Sequence, residues 1–143
     1  MSYAKIWVHI VWGTKNREPV LDKNARVLLF EHIKVNAKEK GIYVDFINGM
    51  PEHIHCLIAL NADISLAKTV QLLKGESAFW ANKEDIVKGK LEWAHEYFAG
   101  SVSESQIDKV REYIKNQEEH HRKITFKEEF DAFIEKYKLE VQG

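Results

Sequence analysis

The sequence predicts an α+β domain: a ferredoxin-like βαββαβ antiparallel sheet with two helices on one face, followed by a tyrosine-bearing helix and a last helix. Three observations carry this. The apolar periodicity alternates between two and 3.6 in that order, Asn48-Gly49-Met50-Pro51 forms a short turn between the second and third strands, and no repeat, low-complexity tract or linker divides residues 1–143.

Residues Tyr3–Thr14 are rich in β-branched and aromatic side chains and read as the first strand, stopped by Gly13 and the polar run Lys15-Asn16-Arg17. Asp22 caps a helix over Lys23–Lys40 whose apolar positions Val27, Leu28, Phe30, Ile33 and Ala37 recur at three and four, and Gly41 ends it. Ile42–Asn48 and His53–Leu60 read as a hairpin. Ser65–Asn82 is a second helix with Leu66, Thr69, Val70, Leu73 and Ala78 on one side, capped by Asp63 or Ser65. Leu91–Ser101 is the fourth strand. Ser103 or Ser105 starts a helix to about Arg122, and Lys127–Leu139 closes the chain with Phe130, Phe133, Ile134 and Tyr137.

Composition sets bounds. Hydrophobic residues make up 45% and charged residues 30%, enough for a packed core and incompatible with a disordered tail or a rod. No apolar run approaches the ~18 residues of a membrane span. Lys5 and His9 interrupt the opening stretch, which does not read as a signal peptide, so a cytoplasmic location is expected. Cys56 is the single cysteine, which excludes an internal disulfide and a cysteine-rich zinc site. The net charge of −1 is unlike a strongly basic nucleic-acid-binding domain, although residues 1–50 carry 8 basic against 5 acidic side chains. Any nucleic-acid groove must be a local patch.

The most informative segment is Pro51-Glu52-His53-Ile54-His55-Cys56-Leu57-Ile58. On a strand His53 and His55 share one face, about 6.5–7 Å apart along the chain, while Ile54, Cys56 and Ile58 share the other. Two imidazoles so placed can converge on one ion and leave positions for a third ligand, water and a substrate oxygen. A pair of solvated histidines on a half-buried strand fits the same pattern. Leu57 excludes a histidine triad, and no second His-x-Ser/Thr motif is present.

The second constellation is Val110-Arg111-Glu112-Tyr113-Ile114-Lys115-Asn116-Gln117-Glu118-Glu119-His120-His121. Tyr113 and Gln117 lie one turn apart at the edge of an apolar stripe formed by Ile107, Val110 and Ile114. A phenol there suits a nucleophile and the amide oxygen a metal ligand; equally, Tyr113 fits an amphipathic boundary residue. His120 and His121 read as C-terminal capping or phosphate contacts, and His9 and His32 as structural or solvated.

Together these residues resemble the small single-tyrosine HUH transposases of insertion sequences, the IS two-hundred type, in which "HUH" denotes histidine, hydrophobic, histidine (here His53-Ile54-His55). The likeness also takes in the opening His-Ile-Val-Trp, Leu73-Lys74-Gly75-Glu76-Ser77, Ser101-Val102-Ser103 and the tyrosine segment. The resemblance implies one catalytic domain over residues 1–143. It makes Tyr113 the nucleophile, and His53, His55 and Gln117 the ligands of Mg2+ or Mn2+, with no nucleotide cofactor. The implied activity is cleavage and transfer of single-stranded DNA with hairpin ends through a 5′-phosphotyrosine. A homodimer is implied too; in relatives the tyrosine helix of one subunit reaches the histidine pair of the other, and this sequence leaves assembly within one chain or across two open. Lys15, Arg17, Lys74 and Lys115 are the candidate phosphate contacts, with Lys5, Lys68 and Lys83 as further ones. Four tryptophans, Trp7, Trp12, Trp80 and Trp93, fit core packing better than a stacking platform. A domesticated protein that binds or nicks hairpin repeats without transposition is the alternative.

Overall fold

A computed structural model describes residues 3–137, and its four strands lie in the order β2-β3-β1-β4, antiparallel throughout. The strands are β1 (Trp7–Gly13), β2 (Tyr43–Met50), β3 (His53–Ala59) and β4 (Phe98–Val102). Helices α1 (Lys23–Glu39) and α2 (Leu66–Lys83) fall between them at the two crossovers, which is the ferredoxin-like connection. Asp22 caps α1 by accepting from the Ala25 N–H at 2.8 Å, and Ser65 caps α2 by accepting from Lys68 at 3.0 Å.

Strand alternation divides the sheet into two jobs. Val8, Ile10, Trp12, Ile54, Cys56 and Ile58 point to one face and pack against Leu29, Ile33, Val70 and Leu73 of α1 and α2. Trp7, His9, Val11, His53, His55 and Leu57 point to the other. That second face is covered by α3 (Ile107–Lys115), α4 (Gln117–His120) and α5 (Phe126–Tyr137). Ile107 and Ile114 close over Trp7 and Leu57, and Phe126 and Phe130 over Val11 and Phe98.

Several boundaries differ from the sequence expectation, each for a local reason. The hairpin turn is Pro51-Glu52, and β2 runs through Asn48 and Gly49. Gly49 is needed there because a Cβ at that position would stand 2.3 Å from the His53 carbonyl oxygen. Strand β1 starts at Trp7, not Tyr3, where its pairing with Ala59 and Val102 begins. Residues 91–97 are not strand. Side chains of α2 hold them: Asn82 bonds both backbone groups of Leu91, and the Lys74 ammonium donates to the Ala94 carbonyl at 2.5 Å. The final helix opens one residue earlier than expected, at Phe126, because Thr125 and Glu128 form a reciprocal capping box. The expected end at Leu139 lies outside the described residues.

The tyrosine helix is broken where continuity was expected. Asn48 donates from its amide to the carbonyls of Ile114 and Lys115 at 3.0 and 3.1 Å. A side chain inserted into the ladder kinks a helix, and Asn116 leaves helical geometry at this point (φ −94°, ψ 29°). Arg111 pins α3 to β2 through a two-pronged pair with Asp45, 2.8 and 3.0 Å. No helix among the described residues is long and apolar enough to cross a membrane.

Candidate active site

The histidine pair of β3 sits at the centre of a buried polar cluster. His53 and His55 are 0% exposed, beneath α4 and α5, so they are not a solvated pair on a half-buried strand. Phe126 stacks flat on the His53 ring at 4.1 Å, and Phe133 lies edge-on to His55 and His9. Gln117 is fully buried as well, and its side-chain oxygen stands 3.2 Å from His53 Nε2. Tyr113 is half-buried, its ring 5.7 Å from that of His55. The four residues singled out for chemistry therefore meet in one place within one chain. The helix kink does not separate Tyr113 from Gln117, because the Gln117 amide donates back to the Tyr113 carbonyl at 3.2 Å.

Glu129 of α5 joins this group, and the sequence reading passed over it. Its Oε1 lies 3.1 Å from His55 Nε2, 3.2 Å from His121 Nε2 and 3.4 Å from His53 Nε2. Its Oε2 accepts a short hydrogen bond from the Tyr113 hydroxyl and lies 3.2 Å from His120 Nε2. The signal for it was present: Phe126, Glu129, Phe130 and Phe133 follow the i, i+3, i+4, i+7 rule, which places a carboxylate inside an apolar stripe. A buried carboxylate needs partners, and here they are imidazoles and a phenol. His120 and His121, expected as capping or phosphate contacts, instead turn inward to Tyr113, Gln117 and Glu129.

A second ring of contacts orients the imidazoles. Glu52 lies 2.8 Å from His53 Nδ1, His9 Nε2 lies 2.9 Å from His55 Nδ1, and the Ile124 carbonyl lies 3.0 Å from His121 Nδ1. All three rings thus turn Nδ1 to a partner and Nε2 to a common point, the arrangement that fixes metal-ligating histidines.

Electrostatics follow the packing. Burial pushes His55 down to about 4, and burial together with the facing His55 pushes His9 down to about 3, so both rings are neutral at neutral pH. Burial also acts against a charged His53, but hydrogen bonds to Glu129 and Glu52 outweigh it and raise its value. Burial would raise the Glu129 carboxyl; bonds from His121, His53 and His55 instead hold it far below the usual carboxylate range. Burial and then the bond to Glu129 raise the Tyr113 phenol above its ordinary value, so the resting phenol keeps its proton.

The basic candidates are scattered. Lys15 is exposed and pairs with Glu92 at 3.4 Å, Arg17 lies over the Phe126 ring, Lys115 is exposed at the end of α3, and Lys74 is tied to the Ala94 and His95 carbonyls. Trp12 is fully buried, Trp7 donates to Glu104, Trp80 stacks on His32 and Trp93 donates to the Lys74 carbonyl. His32 also pairs with Glu76, and His95 is exposed.

The chain is similar to several known transposases. ISDra2 transposase TnpA of Deinococcus radiodurans is 29% identical over 115 residues, which span 76% of this chain and 81% of that protein. A crystal structure from D. radiodurans R1, described as a transposase, superposes with a TM-score of 0.64 at 25% identity over 81% of this chain and 93% of that one. A REP-associated tyrosine transposase, solved with a REP hairpin bound, shares the fold with a TM-score of 0.60 at 15% identity, over 81% of this chain and 68% of its own. The family model described as "Transposase IS200 like" matches residues 2–117, a stretch that takes in the histidine pair, Tyr113 and Gln117 and stops short of His120, His121 and Glu129. The chain belongs to the IS200-like transposase family.

Proposed function

We propose that this transposase cleaves and rejoins single-stranded DNA at hairpin-bearing ends, with Tyr113 as the nucleophile and a divalent cation held by His53, His55 and Gln117. The observation that carries the reading is the meeting of a phenol, two strand-borne imidazoles and a buried amide oxygen in one pocket. The donor set fits a cation: imidazole nitrogen and amide oxygen, each turned to the same point by a partner on its far side. A bound Mg2+ or Mn2+ supplies charge neutralisation at the scissile phosphate, and imidazole nitrogen favours Mn2+ over Mg2+.

The chain's own residues account for the rest. The Tyr113 oxygen attacks phosphorus and the P–O3′ bond breaks, which leaves a 5′-phosphotyrosine and a free 3′-hydroxyl. The departing phenolic proton already lies on a hydrogen bond to Glu129, and His120 Nε2 stands 3.1 Å from the same oxygen. Attack by a 3′-hydroxyl on the phosphotyrosine restores a phosphodiester, so bond energy is conserved and no nucleotide cofactor is required. The REP-associated neighbour was solved with a hairpin, which supports a hairpin substrate here. We read one catalytic domain that forms a homodimer. Each site draws its tyrosine and histidines from one chain, since Arg111–Asp45 and Asn48 hold the tyrosine helix against its own sheet.

The test is covalent trapping. With Mn2+ and a 5′-extended hairpin oligonucleotide, the protein forms an SDS-resistant adduct, and Tyr113→Phe abolishes it. An adduct of equal yield from Tyr113→Phe removes the nucleophile assignment.

A further inference from the structure

We infer that His121 and Glu129, both beyond the family-matched segment, are ligands of the same cation, making a site of three imidazole nitrogens and one carboxylate oxygen that selects a transition metal over Mg2+. This rests on the reading that the histidine pair binds a cation, and adds to it the C-terminal part of the chain.

Geometry is the first support. One ligand atom from each of His53, His55, His121 and Glu129 lies within 4.8 Å of the others, and Glu129 Oε1 stands 3.4, 3.1 and 3.2 Å from the Nε2 atoms of His53, His55 and His121. Ligands about 2.1 Å from a shared ion are separated by roughly 3.0–3.4 Å when adjacent, from octahedral to tetrahedral arrangements. The carboxylate already occupies such a vertex. Gln117 Oε1 lies 3.0 Å from His121 Nε2 and 3.2 Å from His53 Nε2, so it fits as a fifth donor beside the four.

Orientation is the second support. His121 has the same construction as the two strand histidines: its Nδ1 faces the Ile124 carbonyl at 3.0 Å and its Nε2 faces the cluster. A histidine serving only as a helix cap would turn its ring to the helix end. Glu129 is 2% exposed and carried inward by a stripe of phenylalanines. Each extra imidazole moves the site's preference from hard, hydrated Mg2+ towards Mn2+ or Zn2+. The free Glu129 oxygen holds Tyr113, so the carboxylate also positions the phenol beside the ion's ligands.

Metal binding without DNA tests this. Titration calorimetry with Mn2+ is expected to give one site per chain, with binding weakened about tenfold or more in both Glu129→Gln and His121→Ala. His95→Ala, an exposed histidine outside the cluster, binds as wild type. An equal concentration of Mg2+ leaves the Mn2+ in place. Electron spin-echo spectra of the wild-type Mn2+ complex report three coupled imidazoles, a readout that does not depend on any variant folding. Either variant binding Mn2+ as tightly as wild type, a count of two imidazoles, or displacement by equimolar Mg2+ overturns the assignment. If His53→Ala nevertheless abolishes binding in that case, the histidine-pair reading stands alone; if His53→Ala binds normally too, both readings fall.

Discussion

Tyr113 and Glu129 meet through a direct phenol–carboxylate hydrogen bond, although they belong to different helices. The contact exists because the chain breaks at Asn116, turns through Lys123-Ile124-Thr125 and sends α5 back across the sheet. One carboxylate oxygen takes the phenol while the other faces three imidazoles. The proposed nucleophile and the candidate ligands are thereby coupled by a single side chain.

Removing one strand histidine should separate chemistry from recognition. His53→Ala is expected to lose oligonucleotide cleavage by at least about a hundredfold while hairpin affinity changes by less than about threefold, because the proposed cation would act on the scissile phosphate. Gel cleavage and fluorescence anisotropy on one preparation check this. Undiminished cleavage would mean that the histidine pair is vestigial and takes no part in the chemistry.

Assembly of each site within one chain has its own signature. Co-expressed Tyr113→Phe and His53→Ala chains are expected to form no covalent adduct. Recovery of a substantial fraction of wild-type adduct from the mixed dimers would show that the tyrosine helix crosses to the partner.

Acid should weaken the fold in a defined window. An unfolded imidazole takes its proton near 6.5, whereas His55 resists to about 4 and His9 to about 3. As pH falls below 6.5 the unfolded state binds protons first, so each of these groups removes about 1.4 kcal/mol of stability per pH unit. His120, lowered by burial, acts in the same direction. His53 is shifted upward, so its contribution is complete below 6.5 and fades only as pH rises. Glu129 is shifted downward, so its contribution holds above 4.5 and is lost at lower pH. Urea unfolding with a chelator present should show the midpoint falling steadily from pH 6.5 to 4.5. A flat midpoint would mean that the buried rings accept protons freely.

Burial also predicts reactivity. Diethyl pyrocarbonate should modify exposed His95 in the native protein, and His53 and His55 only after unfolding, as read by peptide mass spectrometry. Prompt native modification of His53 would show that α5 does not cover it in solution.

The sheet was legible because alternation at His53–Ile58 and helical spacing in α1 are strong, local patterns. Of the candidate site, the sequence singled out His53, His55, Tyr113 and Gln117, which the fold brings together. What escaped were contacts that no short window contains. Asn48 reaches from β2 to break the tyrosine helix, Glu52 and His9 orient rings on neighbouring positions and strands, and Glu129 arrives from the far end of the chain. The charge reading met a similar limit. Lys74 was counted among phosphate contacts, yet its ammonium is engaged by backbone carbonyls of the 91–97 segment.

Residues 53 to 58 act like a blade sharpened on one edge and bolted on the other. Ile54, Cys56 and Ile58 secure it to the helical layer, while His53 and His55 hold the candidate ligand atoms on the opposite edge. Removing either histidine leaves the bolts in place but takes a partner from the buried Glu129 carboxylate. The edge and the fold are therefore tied together, and loss of a candidate ligand is also a loss of stability.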